Sequence, residues 1–428
     1  MIQRVFSAII AAMVSSRRRF LFSAAGLGLA GLGAWRMWPE QGLLNPCLGE
    51  LPPQLAGHPL VREAFDGLDP AQVWDAHVHL LGVGDDGDAT GAAFNDGYGS
   101  WRWPFSAAQR WYFLNATCIS GNAPVDRAYM AGLRGLADAL PVGNKLLLLA
   151  LDAWHDEHGT AVPDRTHLFI GNDYCMAAAQ SAPQRFEWAA SVHPYRSDAL
   201  AELGRVKLLG ARALKWLPSA QGIDPASPRC DRFYQELARL GLPLIAHAGQ
   251  ERAIPGDDSL GNPLKLRRAL EHGVKVIVAH CASMGTSPDL DRGSEQGTLT
   301  ENFSLFERMM DQPAYEGRLF GDLSALTQSA RAGAPLKRVL ERAREGGDWA
   351  GRLLNGSDYP LPGIMPLYSP RQLADSGYLD AAKLAPLGLI RQHHPLLFDF
   401  VLKRHLRLGG TGLAASVFET RRILSGGE

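Results

Sequence analysis

The chain has 428 residues, of which 46% are hydrophobic and 20% are charged, proportions that are ordinary for a globular protein. This length suits one large domain with additions, or two domains. A formal net charge of −1 gives no reason to expect a nucleic-acid partner or an acidic polymer substrate. The five cysteines are widely spaced and odd in number, which argues against a complete disulfide framework.

The first 41 residues have the features of an export signal. The run Ser16-Arg17-Arg18-Arg19-Phe20-Leu21 precedes a mildly apolar stretch, rich in Ala, Gly and Leu, that continues to about Trp38. This order resembles a twin-arginine signal, which exports proteins that have already folded. The alternative is a membrane anchor, because the stretch is about long enough to cross a bilayer and no clear cleavage site follows it. We therefore predict a periplasmic protein, or one anchored in the inner membrane and facing the periplasm.

Residues 42–72, rich in Pro and Gly, are predicted to form a linker that leads into the fold. After it come eight short apolar segments, each of which ends in a polar residue. Near-continuous apolar runs of this length are typical of strands that are buried on both faces of a parallel sheet. The residues that end the eight segments, in chain order, are His79, Asp152, His193, Lys215, His247, His280, Asp322 and Asp358.

Amphipathic segments lie between these predicted strands, and alternating strands and helices indicate repeated βαβ units. Eight such units predict a (β/α)8 barrel of the α/β class, the TIM barrel, over residues 73–368. In such barrels the active site is built from residues at the C-terminal ends of the strands. The polar residues that end the eight segments are therefore candidates for a single site.

Two regions exceed a minimal barrel. Residues 82–144 form a long insertion after the first strand, with an aromatic cluster between Trp101 and Tyr112. The cluster indicates either a small local core or a lid over the mouth of the barrel, since long loops there commonly shape substrate pockets. Residues 369–428 are predicted to form a helical C-terminal extension. Its clearest amphipathic stretch, residues 398–408, is expected to pack against the outside of the barrel.

The first strand ends in two histidines, His77 and His79. Because side chains alternate along a strand, both imidazoles point to the same side and can share one metal ion. Taken alone the pair is a weak signal, since two half-buried histidines on a sheet face have the same pattern. The other strand ends make metal binding the better explanation. Those that carry residue types suited to such a site are Lys215, His247, His280 and Asp358.

These segments together resemble the amidohydrolase superfamily of metal-dependent hydrolases. The similarity is greatest to the amidohydrolase-related branch, which includes aminocarboxymuconate-semialdehyde decarboxylase and various lactonases and hydrolases. It extends over residues 73–362. The segments that carry it are Asp75-Ala76-His77-Val78-His79, His247-Ala248-Gly249, Ala279-His280-Cys281 and Gly356-Ser357-Asp358-Tyr359-Pro360.

The resemblance implies that His77, His79, His247 and Asp358 bind the metal. Asp358 would also accept a proton from the water that attacks the substrate. Three nitrogen ligands and one carboxylate suit Zn²⁺. Mn²⁺ and Fe²⁺ are alternatives, because the geometry of the site and the availability of each metal also determine which ion is bound. A divalent ion lowers the pKa of bound water from about 15.7 towards 7, so that hydroxide forms at neutral pH.

Two further positions have alternative roles in this superfamily. In members with one metal, His280 would bond to the water or the substrate and stabilise the developing oxyanion; in members with two metals it would bind the second ion. Lys215 would be carbamylated and bridge two ions, or remain a cation that pairs with the substrate. We favour one metal per chain and an unmodified Lys215.

The resulting prediction is a metal-dependent hydrolase that acts on a small amide, ester or lactone through a metal-activated water. The alternative enzyme is a non-oxidative decarboxylase, a carboxy-lyase, that uses the same metal site. It would need cations to hold the substrate carboxylate, and Arg102, Arg110 and Arg252 are candidates. A metal-binding protein without catalysis is a third reading. It is disfavoured because both Asp358 and His280 are present.

Other residues at or just beyond the strand ends are candidates for the wall of a substrate pocket. Each of them has a structural role as its alternative. The sequence leaves open whether the protein forms a homo-oligomer. The pocket candidates are Trp154, His193, Trp216 and Arg252.

Overall fold

The computed structural model describes residues 41–85, 91–94, 104–119, 124–293 and 297–425, so all but the last residue of the signal predicted in residues 1–41 lies outside the described residues. Eight strands form one parallel sheet, and their order in the sheet follows their order in the chain. The predicted (β/α)8 architecture is thereby confirmed. The strands are β1 (Trp74–His79), β2 (Lys145–Leu149), β3 (Phe186–Ala190), β4 (Ala213–Trp216), β5 (Leu244–His247), β6 (Val276–Ala279), β7 (Leu319–Asp322) and β8 (Leu353–Leu354).

Hydrogen bonds between β1 and the chain that follows β8 close the sheet into a barrel. The amide of Asp358 donates to the carbonyl oxygen of His77 at 2.9 Å, and the amide of His79 donates to that of Tyr359 at 3.0 Å. The two segments approach closely because Gly356 has no side chain; a Cβ there would lie 2.7 Å from the Cβ of His77. The closure places Asp358 directly beside the two histidines of β1.

The helices surround the barrel, and the helix Asp231–Leu240, which is α6 in chain order, shows why the sequence forms them. Phe233, Tyr234 and Leu237 share its buried face, and the helix ends at Gly241, whose left-handed φ of 62° suits glycine. The twelve longer helices are α1 (Pro59–Phe65), α2 (Pro104–Ala116), α3 (Val125–Asp138), α4 (Asn172–Gln180), α5 (Ala199–Leu208), α6 (Asp231–Leu240), α7 (Arg267–Glu271), α8 (Asn302–Met310), α9 (Ala334–Arg342), α10 (Pro370–Asp375), α11 (Leu384–His393) and α12 (Pro395–His405).

Several short elements complete the described chain. Four helices have four residues each, and two pairs of short strands are antiparallel. Among the described residues, no helix is both long and apolar enough to span a bilayer. The short helices are Pro53–Ala56, Pro218–Gln221, Ala415–Phe418 and Arg421–Leu424, and the strand pairs are Ala92–Phe94 with Leu168–Ile170 and Thr286–Pro288 with Leu299–Glu301.

The core has two layers, which explains why the strands are apolar on both faces. One set of strand residues, which includes Leu147, Ala213 and Ile245, fills the inside of the barrel, and the alternate set packs against the helices. Ile423 and Leu424, near the end of the chain, join the inner set. Since they approach the barrel at the start of β1, they help to close the end opposite the site.

The C-terminal region is helical, and α12 is its most buried part. Ten of the eleven residues of α12 are buried, so the helix lies inside the packing around the barrel rather than on its surface. Lys403 on α12 donates to the carbonyl oxygen of Gly356 and to Asp399, both at 2.6 Å. The extension therefore contacts the segment that carries Asp358.

One disulfide bond joins Cys47 of the linker to Cys118, two residues after the end of α2. The other three cysteines, Cys175, Cys230 and Cys281, are free and buried. The odd cysteine count correctly argued against a complete disulfide framework but gave no indication of this pair. The bond fastens the insertion to the segment that precedes the barrel.

Candidate metal centre

His77, His79 and Asp358 meet at the C-terminal end of the barrel. The Nε2 atoms of the two histidines are 3.3 Å apart. Oδ1 of Asp358 lies 3.1 Å from Nε2 of His79 and 3.6 Å from Nε2 of His77. His77 and Asp358 are buried, whereas 27% of the His79 side chain is exposed. Three atoms of the kind that bind divalent metals therefore converge at one point, with access from one side.

Asp322, at the end of β7, fixes the tautomer of His77. Its Oδ2 lies 2.8 Å from Nδ1 of His77, so the imidazole donates its proton there and keeps the lone pair on Nε2. Burial alone would raise the pKa of Asp322, but the electrostatic interaction and the hydrogen bond with His77 outweigh burial and hold the pKa far below its usual range. The sequence marked Asp322 only as a strand end, because its role depends on which atom it faces.

His280 follows β6 and lies beside this cluster, and its own backbone conformation is strained. Its φ is 55°, in the left-handed region that residues other than glycine rarely adopt, and such outliers concentrate at functional sites. One ligand atom from each of His280, His77 and Asp358 can be chosen so that all three lie within 4.8 Å of one another. Nδ1 of His280 donates to the carbonyl oxygen of Ser324 at 3.0 Å.

This hydrogen bond determines what His280 can do. Burial lowers its pKa well below the usual range, so the neutral ring carries its single proton on Nδ1 and a lone pair on Nε2. The ring can accept a proton or bind a cation through Nε2. The tautomer therefore favours those two roles over donation of a hydrogen bond to an oxyanion, the role expected in a one-metal site.

Asp358 is the carboxylate of the cluster, and it is ionised. Burial alone would raise its pKa, but the electrostatic interaction with the neighbouring His280 ring and the hydrogen bond with His79 outweigh burial and hold the pKa well below its usual range. Its φ of 61° is also left-handed. A carboxylate that keeps its charge at neutral pH can bind a cation or accept a proton.

Lys215, on β4, points into the same site. Its Nζ lies 3.0 Å from Nε2 of His77, and only 2% of the residue is exposed. Burial lowers its pKa from the usual value. The neighbouring Trp216 must then face the other way, since side chains alternate along a strand.

His247, at the end of β5, lies next to His280, with their ring centroids 5.2 Å apart. Its Nε2 is 3.2 Å from Oε2 of Glu251, and its Nδ1 has no hydrogen-bond partner among the described residues. Burial lowers its pKa to about 4, which keeps the ring neutral and leaves a lone pair for a ligand. Glu251 was not identified in the sequence, because a Glu four residues after a strand end has no distinguishing pattern.

A cavity of about 340 Å³ lies over the cluster. His79, Lys215, His247, His280 and Asp358 reach its surface at the base. Most of the remaining wall is apolar, which is typical of pockets for small organic molecules. The apolar part includes Leu81, Phe94, Phe113, Leu168, Leu217, Ile254, Met284, Leu361, Ile364 and Leu367.

The insertion after β1 contributes to this wall through Phe94 and through α2. Tyr112 and Phe113 of α2 line the cavity, and Gln109 donates to the carbonyl oxygen of Arg252 at 3.1 Å, across to the loop after β5. This part of the insertion covers the mouth of the barrel, in agreement with the lid alternative. Trp101, Arg102 and Trp103 lie outside the described residues.

The four pocket candidates have different positions. Arg252 lines the cavity, but the other three do not reach it among the residues described there. Trp216 is stacked on Phe233 outside the barrel, His193 contacts the backbone oxygen of Gln221, and Arg165 covers the ring of Trp154. The expectation that Trp154, His193 and Trp216 form the pocket wall is therefore corrected, because each is used in packing behind it.

Comparison with known proteins gives a family match over most of the barrel. The family described as amidohydrolase matches residues 74–368. No curated protein matches the sequence.

The solved structures found by comparison share little sequence with this chain. An uncharacterized TIM-barrel protein from Bordetella bronchiseptica is 15% identical, with a TM-score of 0.44, and the alignment covers 69% of this chain and 88% of that one. The 5-carboxyvanillate decarboxylase from Sphingomonas paucimobilis is 10% identical, with a TM-score of 0.43, and the alignment covers 83% of this chain and 99% of that one. IDCase from Metarhizium anisopliae is 10% identical, with a TM-score of 0.45, and the alignment covers 85% of this chain and 98% of that one.

Proposed function

The chain belongs to the amidohydrolase family, and from this premise we propose that its metal centre activates water to hydrolyse a small amide, ester or lactone. The observation that carries the proposal is the convergence of His77, His79 and Asp358 at the base of a cavity. The protein is an enzyme of the amidohydrolase type. The substrate class, the metal and the roles of single residues are the proposed parts.

The donor set fits a divalent cation. The proton of His77 is held on Nδ1 by Asp322, so its Nε2 faces Nε2 of His79 with a lone pair. A cation bound between these nitrogens and Oδ1 of Asp358 would satisfy all three atoms, and the lone pair of neutral His247 would complete a set of nitrogen and oxygen donors. Nitrogen ligands with one carboxylate favour Zn²⁺, with Mn²⁺ and Fe²⁺ as alternatives.

The proposed chemistry divides between the cation and the chain. A bound divalent cation supplies the Lewis acidity that makes water reactive at neutral pH. Asp358, which stays ionised, accepts the proton and later returns it to the leaving group. His280 offers a second basic atom at Nε2, and α2 with the apolar wall keeps bulk water from the site.

One cation per chain is the simpler occupancy. Nζ of Lys215 lies 3.0 Å from Nε2 of His77, a distance that an unmodified amine can take. Carbamylation would give this side chain a negative charge and allow a second ion beside His280 and His247. We propose an unmodified Lys215 that approaches the reacting group of the substrate.

A non-oxidative decarboxylase is the second candidate, and the cations of the cavity favour it. Arg252 and Arg331 both line the cavity and offer donors for a carboxylate. Arg110 lies instead among the apolar residues Leu81 and Leu114 in a separate small cavity. Arg102 lies outside the described residues. Release of carbon dioxide from an aromatic carboxylate would identify this activity.

We also propose export, which the disulfide supports. Disulfides persist in oxidising compartments such as the periplasm and are rare in the bacterial cytoplasm. The bond between Cys47 and Cys118 therefore agrees with the twin-arginine-type segment at residues 16–21.

The metal assignment is tested with His77→Ala/His79→Ala. Purified wild-type protein is expected to hold about one divalent ion per chain, and the double variant to hold almost none, as measured by elemental analysis. The control His158→Ala/His393→Ala removes two histidines away from the site and should keep the metal. Panels of esters, lactones, amides and aromatic carboxylates, each with and without chelator, then identify the reaction. Equal metal in wild type and the His77/His79 variant would overturn the ligand assignment.

A further inference from the structure

Arg331 is a buried arginine in the wall of the site cavity. It lies in the loop between β7 and α9, only 7% of the residue is exposed, and it lines the cavity above the metal centre. Burial lowers the pKa of this guanidinium from its usual value. A cation in such a position costs free energy unless nearby groups hydrogen-bond it and balance its charge.

Most of the donors of Arg331 are unused. Nη1 donates to Oγ of Ser283 at 3.1 Å, and this is the side chain's one hydrogen bond to the described residues. Nε has no partner there, although a guanidinium offers five N–H donors. Asp358 and Glu251 act on Arg331 through space rather than by hydrogen bonds. Among the described residues, the charge therefore has no paired anion of its own.

The walls around Arg331 indicate what would pair with it. The cavity is mainly apolar, with Leu361, Ile364 and Leu367 in its surface. A carboxylate matches the planar guanidinium and can accept two parallel hydrogen bonds from it. A dianion such as phosphate would be disfavoured, because Glu251 and Asp358 line the same cavity.

We propose that Arg331 is an anion subsite, so that the substrate is an organic carboxylate with an apolar body. The inference rests on the proposed function, since it describes the substrate of the same cavity. Under the proposed hydrolysis, the carboxylate bound at Arg331 holds the substrate, and the reacting group is the amide, ester or lactone. The reacting bond then lies between this anchor and His77, His79 and Asp358.

Equilibrium binding tests this inference without turnover. The probes are phenyl-substituted alkanoates, from phenylacetate to 6-phenylhexanoate, and the matching primary amides. They are titrated calorimetrically into the full chain, in zinc-loaded and metal-stripped form. At least one carboxylate should bind about tenfold to a hundredfold more tightly than its amide, as expected for a hydrogen-bonded charge pair. The preference should survive removal of the metal.

Three variants identify the group responsible. Arg331→Gln can keep the hydrogen bond to Ser283 but loses the charge, so it should bind carboxylate and amide equally. Arg331→Lys keeps the positive charge but lacks the planar guanidinium, so it should keep part of the preference for carboxylates over amides. The control Arg292→Gln, at an exposed arginine, should behave as wild type. Thermal unfolding of each variant checks that it is folded.

Several outcomes overturn the inference. Equal affinity of wild type for every acid and its amide would do so, as would a preference that remains in Arg331→Gln. A preference that disappears from wild type with the metal would place the carboxylate at the cation instead. Since none of these measurements requires catalysis, an enzyme that fails the hydrolysis panel but binds acids through Arg331 would contradict the proposed function alone.

Discussion

Asp322 decides which nitrogen of His77 is available to a metal. Its Oδ2 accepts a hydrogen bond from Nδ1 of His77, while its Oδ1 accepts from the backbone amides of His280 and Ser324 at 2.9 and 3.0 Å. One buried carboxylate therefore orients a proposed ligand and the loop that carries the neighbouring histidine. Such outer partners commonly set the affinity of the metal they do not touch.

Asp322→Asn tests this arrangement. The amide keeps the shape of Asp322 but loses the charge that holds the proton of His77 on Nδ1. We expect metal affinity to fall about tenfold to a hundredfold, measured by competition with a chromogenic chelator. The control Asp375→Asn changes an exposed carboxylate at the end of α10 and should leave the affinity unchanged. Unaltered affinity in Asp322→Asn would show that His77 is oriented by other contacts.

Asp358→Asn separates proton transfer from metal binding. Asn can still present an oxygen to a cation, but it is a far poorer base than the carboxylate. We expect the variant to retain much of its metal and to lose about a hundredfold to ten-thousandfold in turnover, the usual range for general acid–base assistance. Rates and bound metal are measured on the same preparation, with the substrate found by the panel.

Two results would argue against this role for Asp358. Near-normal turnover with the metal retained would assign the proton to another group, and His280, with its free Nε2, is the best placed. Turnover that falls only in proportion to the bound metal would make Asp358 a ligand without a separate role as base.

At the scale of the elements, the sequence predicted the barrel because the strands and their order can be recognised directly from the pattern of apolar residues. Each strand is an apolar run, and the residues that follow it share one end of the sheet. This geometry brought His77, His79 and Asp358 together, as their positions on β1 and after β8 indicated.

Contacts that depend on the direction of a side chain could not be predicted from the sequence pattern. Trp216 and Lys215 are adjacent in sequence but face opposite sides of β4, and only the side that Lys215 takes reaches the site. Arg331 and Glu251 lie in loops whose paths no periodic pattern describes. The pairing of Cys47 with Cys118 joins segments 71 residues apart, a distance over which spacing alone is uninformative.

The disulfide is predicted to stabilise the fold through the loop that it closes. For a loop of 71 residues, the chain-entropy treatment gives about 4 kcal/mol, and measured values fall at or below such figures. Cys47→Ser/Cys118→Ser should therefore lower the free energy of unfolding by about 2 to 4 kcal/mol in urea titrations. Wild type in dithiothreitol should lose the same amount, whereas the double variant should not respond to the reductant. Equal stability of all four samples would show that the bond contributes little.

At the scale of the whole molecule, the segments that flank the barrel share its core. Leu60 of α1 and Phe398 of α12 belong to the same buried cluster as the residues between strands and helices. Phe65 and Phe400 stack with centroids 4.6 Å apart, which joins the segment before β1 to the C-terminal extension. The described chain from the linker to Leu424 therefore packs together around the candidate metal centre, and a route that exports folded proteins suits such a molecule.

The proposed export and the disulfide depend on each other through the redox state of the compartment. If the twin-arginine-type segment directs the folded chain to the periplasm, Cys47 and Cys118 become oxidised only after transport. Replacing Arg17 and Arg18 by Lys should keep the protein in the cytoplasm of a Gram-negative host and leave both thiols reduced. Cell fractionation with a thiol-reactive polymer label measures location and oxidation in the same sample. The variant Cys47→Ser cannot form the bond, so it provides the reference signal for complete labelling of Cys118. This variant should still be exported. A variant with both lysines that reaches the periplasm in oxidised form would exclude the twin-arginine route.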